Sequence, residues 1–283
     1  MKTTRRLVIA LLLAAAATLT AGAQASLPAR RIVSLVPAVT EMLFAIGAGP
    51  RVVGVSSFDT YPPEVASRAR VGALVDPDLE RILALRPDLV VVYVSQDELR
   101  AQLARAGIAS FVYQHQGLAD VPVAMRRLGQ AIGLEPEADR AAREFEQRVA
   151  RVRTAVAGRR RPATMLVFGR APRSLRNIYA SGGTGFLHDA LDAAGGANVF
   201  ADVPRESVQA SIELILARAP EVIIELRTSE LVGDGNAPSP WLQLASVPAV
   251  RQGRIHTLAG DYLVVPGPRL ADAVEALARV LHP

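Results

Sequence analysis

Residues 79–92, LERILALRPDLVVV, return as residues 212–225, IELILARAPEVIIE, 133 positions later. Glu80 then matches Glu213, Ile82 matches Ile215, Leu83 matches Leu216, Ala84 matches Ala217 and Pro87 matches Pro220. Each copy reads as a short amphipathic helix stopped by proline, which lacks an N–H and pushes its preceding residue out of the helical region. A run of apolar residues follows at once, as expected of a buried strand. One such helix-to-strand unit in each half predicts a two-lobed α/β protein.

The remaining pattern agrees. Strands are expected at Ile32–Leu35, Val52–Ser56, Leu89–Val94 and Ser110–Tyr113 in the first half, then at Thr164–Phe168, Val222–Glu225 and Ile255–Leu258 in the second. Helix-patterned segments separate them, and many of the strands lack alternation, the mark of parallel sheet covered on both faces. Pro136 to Ala157 forms a different kind of element, with proline at its start, acids early, arginines late and Gly158 beyond its end. Its apolar positions Ala141, Phe145, Val149, Val152 and Val156 recur at helical spacing. At ~1.5 Å per residue, such a helix is a rod of ~33 Å, long enough to run along two lobes. The expected division is a leader at 1–25, an N-terminal lobe at 26–134, an interlobe helix at 135–158 and a C-terminal lobe at 159–283.

The leader accounts for much of the charge. Lys2, Arg5 and Arg6 precede the apolar run Leu7 to Ala17, and Ala23-Gln24-Ala25 offers a small-x-small cleavage site, the pattern of a secretory signal peptide. That run falls short of the ~20 apolar residues that span a bilayer. Arg5-Arg6 resembles a twin-arginine signal, but the residues after it favour general secretion. Removing 1–25 lowers the formal charge from +5 to +2 and leaves no block of like charges, so no nucleic-acid partner is expected. The absence of cysteine excludes disulfides, thiolate chemistry and a lipid-modified N-terminal cysteine. The expectation is a soluble, monomeric periplasmic protein.

Catalytic patterns are sparse. There is no G-x-S-x-G elbow, and Ser181-Gly182-Gly183-Thr184-Gly185 lacks the Lys-Ser/Thr of a phosphate loop, so it reads as a strand-to-helix turn near a ligand. Gly47 and Gly49 follow a helix and read as its cap. His115, His188, His256 and His282 include no pair at helical metal-site spacing. Glu80 and Glu213 each sit in a first helical turn, where stabilisation of the helix dipole and a functional role are both open. Phe58, Tyr61, Tyr93, Tyr179 and Tyr262 fall just after predicted strands or in loops, where open α/β sheets bind ligands, and together they favour a cleft.

Taken in order, RIVSLVPAVTEMLFAIGAGPRVVGVSSFDTYPP, VGALVDPDLERILALRPDLVVVY, SGGTGFLHDALDAAGGANVF and GRIHTLAGDYLVVPGPRL resemble the helical-backbone solute-binding proteins of ABC importers, nearest the cobalamin-binding branch. The likeness runs from about Arg31 to the C-terminus. It implies two Rossmann-like lobes with parallel sheets joined by a single long backbone helix, no catalysis and no cofactor, and a metal chelate held between the lobes as cargo. It further implies that one glutamate per lobe, here Glu80 and Glu213, docks on a two-fold permease in the inner membrane. The branch's ligand contacts fall on Phe58, Leu74, Tyr179, Ser207 and Asp261, with Tyr262 adjacent, while Tyr61 and Tyr93 offer further polar contacts. Leu74 and Ser207 depart from the tryptophans of the branch, and Val265 stands where an arginine is expected. Losing two rings removes about 1–3 kcal/mol of burial each. That loss leaves weaker cobalamin binding, a different corrinoid, or a ferric siderophore or haem as the cargo.

Overall fold

The computed structural model describes residues 29–228 and 239–283; the expected leader lies outside them. The N-terminal lobe runs β1 (Ile32–Ser34), α1 (Pro37–Ala45), β2 (Val52–Val55), β3 (Ala69–Arg70), α2 (Leu79–Ala84), β4 (Leu89–Tyr93), α3 (Asp97–Arg105), β5 (Ala109–Tyr113) and α4 (Asp120–Ile132). Its five strands are all parallel, in the order β3-β2-β1-β4-β5. The direction of winding reverses between β1 and β4, and in such sheets the crevice for a ligand opens beyond the carboxyl ends of the strands at that reversal.

One helix, α5 (Glu135–Val156), connects the lobes, with Pro136 in its first turn. It buries Ala138, Ala142, Phe145 and Val149, a stripe at helical spacing, while Arg148 reaches Glu275 of the C-terminal helix at 2.9 Å. Arg126 of α4 binds both carboxylate oxygens of Glu146 at 2.7 and 2.9 Å.

The C-terminal lobe contains β6 (Ala163–Gly169), β7 (Ile178–Ser181), α6 (Phe186–Ala193), β8 (Ala197–Asn198), β9 (Ser207–Ala210), α7 (Ile212–Arg218), β10 (Val222–Arg227), α8 (Pro248–Arg251), β11 (Ile255–Ala259) and α9 (Leu270–Leu281). Here β11, β10, β6 and β8 are parallel, but β7 runs antiparallel to both β6 and β9. This sheet is therefore mixed, a parallel core of β11, β10, β6 and β8 extended by the antiparallel pair β7 and β9. Among the described residues no helix is long and apolar enough to cross a membrane.

The repeat survives as local geometry. Asp78 and Ser211 cap α2 and α7, accepting from the N–H groups of Arg81 and Leu214 at 3.0 and 3.2 Å. Arg86 and Ala219 both take left-handed φ, +47° and +44°, immediately before Pro87 and Pro220. Because proline disfavours the right-handed helical region for its predecessor, both helices end there and the chain turns into β4 or β10.

Alternate side chains of the sheets enter different cores. Leu89 and Val91 join the large central cluster, whereas Val90 and Val92 pack into a smaller one on the outer face. In the second lobe Val222, Ile224 and Leu226 face the same central cluster, and Ile223 faces an outer one around Trp241 and Phe200. Residues of both lobes and of α5 thus share one continuous interior.

Candidate ligand cleft

The lobes meet where the carboxyl ends of their central strands face each other. The loop after β2 carries Phe58, Asp59, Thr60 and Tyr61 from one side; the turn after β11, residues 261–263, comes from the other. Thr60 Oγ1 donates to Asp261 Oδ2 at 3.1 Å, closing that rim. Phe58 is 69% exposed and Tyr61 42%, a costly display of ring surface unless something covers it.

Behind the rim the lobes are tied by polar contacts. Arg269, just before α9, gives Nε to Glu41 Oε2 at 3.0 Å and Nη2 to Glu41 Oε1 at 2.5 Å. The guanidinium lies 3.8 Å from the centre of the Tyr61 ring, so one cation binds a carboxylate and an aromatic face together. Glu41 on α1 is only 5% exposed; burial raises its carboxyl pKa, against the lowering effect of Arg269. Deeper still, Tyr113 donates to Pro266 O at 3.1 Å and Leu118 N–H donates to Asp189 Oδ2 at 2.9 Å.

Tyr93 ends β4, at the reversal of winding. It lies edge-on to Tyr113, 6.2 Å between ring centres, and 5.9 Å from His115, which in turn reaches Phe186 of the opposite lobe at 5.6 Å. Burial pushes the Tyr93 and Tyr113 phenols up, with Glu206 adding to the effect on Tyr93. On the C-terminal side Tyr179 stacks on Phe168, 6.5 Å apart. Phe168, Phe186, Glu206, Ser207 and Val264 line a cavity of about 320 Å³.

The structure separates some of the expected site residues. Tyr179 lies within β7, not in a loop, and its ring is 41% exposed. Ser207 opens β9 and reaches the cavity through its strand edge. Asp261 and Tyr262 sit together in the rim turn. Leu74 instead borders a separate depression of about 570 Å³ in the N-terminal lobe, with Gln96 and Leu99, and its carbonyl accepts from Gln96 Nε2 at 2.8 Å. Glu80 and Glu213 are exposed in the first turns of α2 and α7. Sequence reasoning passed over His115, Phe168, Phe186, Glu206 and the Glu41–Arg269 pair. His115 lies two residues beyond β5, so the strand-end rule that selected Tyr93 would also have selected it.

The glycine turn Ser181–Gly185 does connect β7 to α6. Its glycines are explained by close packing: a Cβ on Gly182 would lie 2.0 Å from Arg205 O, and one on Gly183 2.2 Å from Ala201 O. No anion cradle is needed to account for them.

Comparison with known proteins places this geometry among others. A family model described as "Periplasmic binding protein" matches residues 32–262. A vitamin B12-binding protein of Vibrio cholerae is 30% identical over 257 residues, covering 90% of each chain. One from Pectobacterium carotovorum is 29% identical over 256 residues, covering 89% of this chain and 88% of that one. Among solved structures, the periplasmic vitamin B12-binding protein of Vibrio cholerae superposes with a TM-score of 0.77 at 28% identity, covering 90% of this chain and 98% of that chain. A periplasmic haem-binding protein from Roseiflexus gives the same TM-score and identity over 89% of this chain and 98% of that one.

Proposed function

From the premise that this chain belongs to the periplasmic binding protein family, we propose that it captures a corrinoid between its lobes and delivers it to the permease of an ABC importer. The family is one of binding proteins, and a binding role with no catalysis fits a cleft furnished with rings and few reactive groups. The observation that supports the reading is a run of rings across the lobe boundary: Tyr93 and His115 from one side meet Phe186 from the other, where Phe168 and Tyr179 also stack. A large planar macrocycle offers such rings apolar surface, while Asp261, Tyr61, Tyr93 and Tyr262 supply the polar contacts that orient it. Ser207, on the cavity wall, leaves that wall thinner than a tryptophan would.

Delivery would use Glu80 and Glu213. Both carboxylates are exposed at equivalent positions of equivalent helices. Such a pair suits a partner with two-fold symmetry and basic pockets, and attraction between exposed charges mainly speeds and orients the encounter. Export to the periplasm by the leader completes the reading.

A second reading keeps the fold and changes the cargo to haem or a ferric siderophore. The missing tryptophans and the equal likeness to a haem-binding protein favour it. Isothermal titration with cyanocobalamin, cobinamide, ferric protoporphyrin and a ferric siderophore decides between them. Corrinoid binding tighter than roughly 10 μM, about −7 kcal/mol, is the expected result; failure of both corrinoids overturns the first reading.

A further inference from the structure

His115 stands where the lobes touch, with Tyr93 at 5.9 Å, Tyr113 at 5.8 Å and, from the opposite lobe, Phe186 at 5.6 Å. Its Nδ1 is buried without a hydrogen-bond partner, and no hydrogen bond from a described residue engages Nε2. Nε2 is thus the nitrogen open to a bound molecule. The other histidines are placed differently: His188 Nδ1 lies 3.2 Å from Asn198 Nδ2, His282 Nε2 is buried beside Gly195, and His256 lies within β11. Burial lowers the His115 pKa, against the raising effects of Glu206 and Asp120, and so favours the neutral ring, which keeps a lone pair. Neutral imidazole is a strong ligand for cobalt and iron.

We propose that His115 coordinates the metal of the bound macrocycle through Nε2, replacing an exchangeable water on one axial face. The inference rests on the reading of the cleft as a metal-chelate site. The bond forms by donation of the imidazole lone pair as the water leaves, with no change of oxidation state. The rings of Tyr93, Tyr113 and Phe186 confine the imidazole at the boundary between the lobes. The shared chemistry is a tetrapyrrole-type metal with an open axial position, supplied by a cobalt corrin or an iron porphyrin.

The test uses the natural chain, His115→Ala and His115→Gln, each titrated with diaquacobinamide and with ferric protoporphyrin. Visible absorption is read for both and electron paramagnetic resonance for the iron complex; circular dichroism and the unfolding midpoint check that the variants fold. Expected is an imidazole-shifted absorption band, with a low-spin signal if iron binds, in the natural chain, and in both variants loss of the shift together with weaker binding of the macrocycle. The macrocycle that shows the shift identifies the source. An unshifted natural complex, or the same shift in all three proteins at saturation, overturns the assignment of His115 and leaves the cargo reading standing. Failure of the natural chain to bind either macrocycle overturns both.

Discussion

Replacing Arg269 by Met isolates the Glu41 carboxylate inside the joint between the lobes. The pair makes two hydrogen bonds, with Glu41 5% exposed, and the nearby charges of Asp272 and Asp261 already oppose its ionisation. Without the guanidinium the carboxylate keeps its desolvation cost and loses its compensation. A stranded buried charge of this type costs about 3–5 kcal/mol, while exchanging both partners for apolar groups is often neutral or stabilising by about 1–4 kcal/mol. Urea unfolding at pH 7.5 should therefore show a large loss in Arg269→Met and substantial recovery in Glu41→Met/Arg269→Met, a coupling that a double-mutant cycle reads directly. Acid supplies an internal control. The folded-state pKa of Glu41 is raised, so the folded protein takes up its proton before the unfolded chain does, and the loss in Arg269→Met should shrink as pH falls through that pKa. A loss below about 1 kcal/mol at pH 7.5, the range of an exposed ion pair, or single-variant costs that simply add, would refute the account of a desolvated interlobe tie.

Asp59, 1% exposed, has its pKa pushed by burial to about 7, against the hydrogen bond from the Ser56 N–H and the charge of Arg70. Folding then favours its protonated form: stability should fall as pH rises from about 4 to about 7, and Asp59→Asn should flatten that window in unfolding curves. Gly183→Ala drives a methyl into Ala201 O, 2.2 Å away, and should lower stability by about 1–3 kcal/mol, measured as a drop in Tm. Glu80→Arg/Glu213→Arg should abolish uptake in a reconstituted transport assay and leave cargo affinity within about twofold; a large loss of affinity would remove these residues from the docking role.

The parts of the fold legible from the sequence were those encoded locally. All seven expected strands are present with small shifts at their ends, because most are apolar runs bounded by turns. Proline, early acids and late arginines marked α5 almost to the residue. The antiparallel insertion was invisible for the opposite reason: β7 and β9 span four residues each, and β9 is Ser-Val-Gln-Ala, with partly exposed side chains and no apolar run. At the site, rings near strand ends were readable, but which rings touch was not. Arg269 and Glu41 lie 228 residues apart, and nothing in PGPRL or VTEM signals their union. Such pairs follow from the approach of two finished lobes, a property of the whole topology.

The continuous interior also governs how the molecule comes apart. Neither lobe owns its inner wall: Leu128 and Ile132 of α4, Phe145 of α5 and Leu277 of α9 belong to one apolar mass. A fragment ending after α4 would expose to water the surface that α5 and α9 now cover, so the halves resemble two faces of a single keystone more than beads on a string. Heating should accordingly melt the protein in one step, with the calorimetric and van't Hoff enthalpies in agreement. A molecule seated between the lobes would then move that single transition as a whole, whichever wall it gripped more tightly.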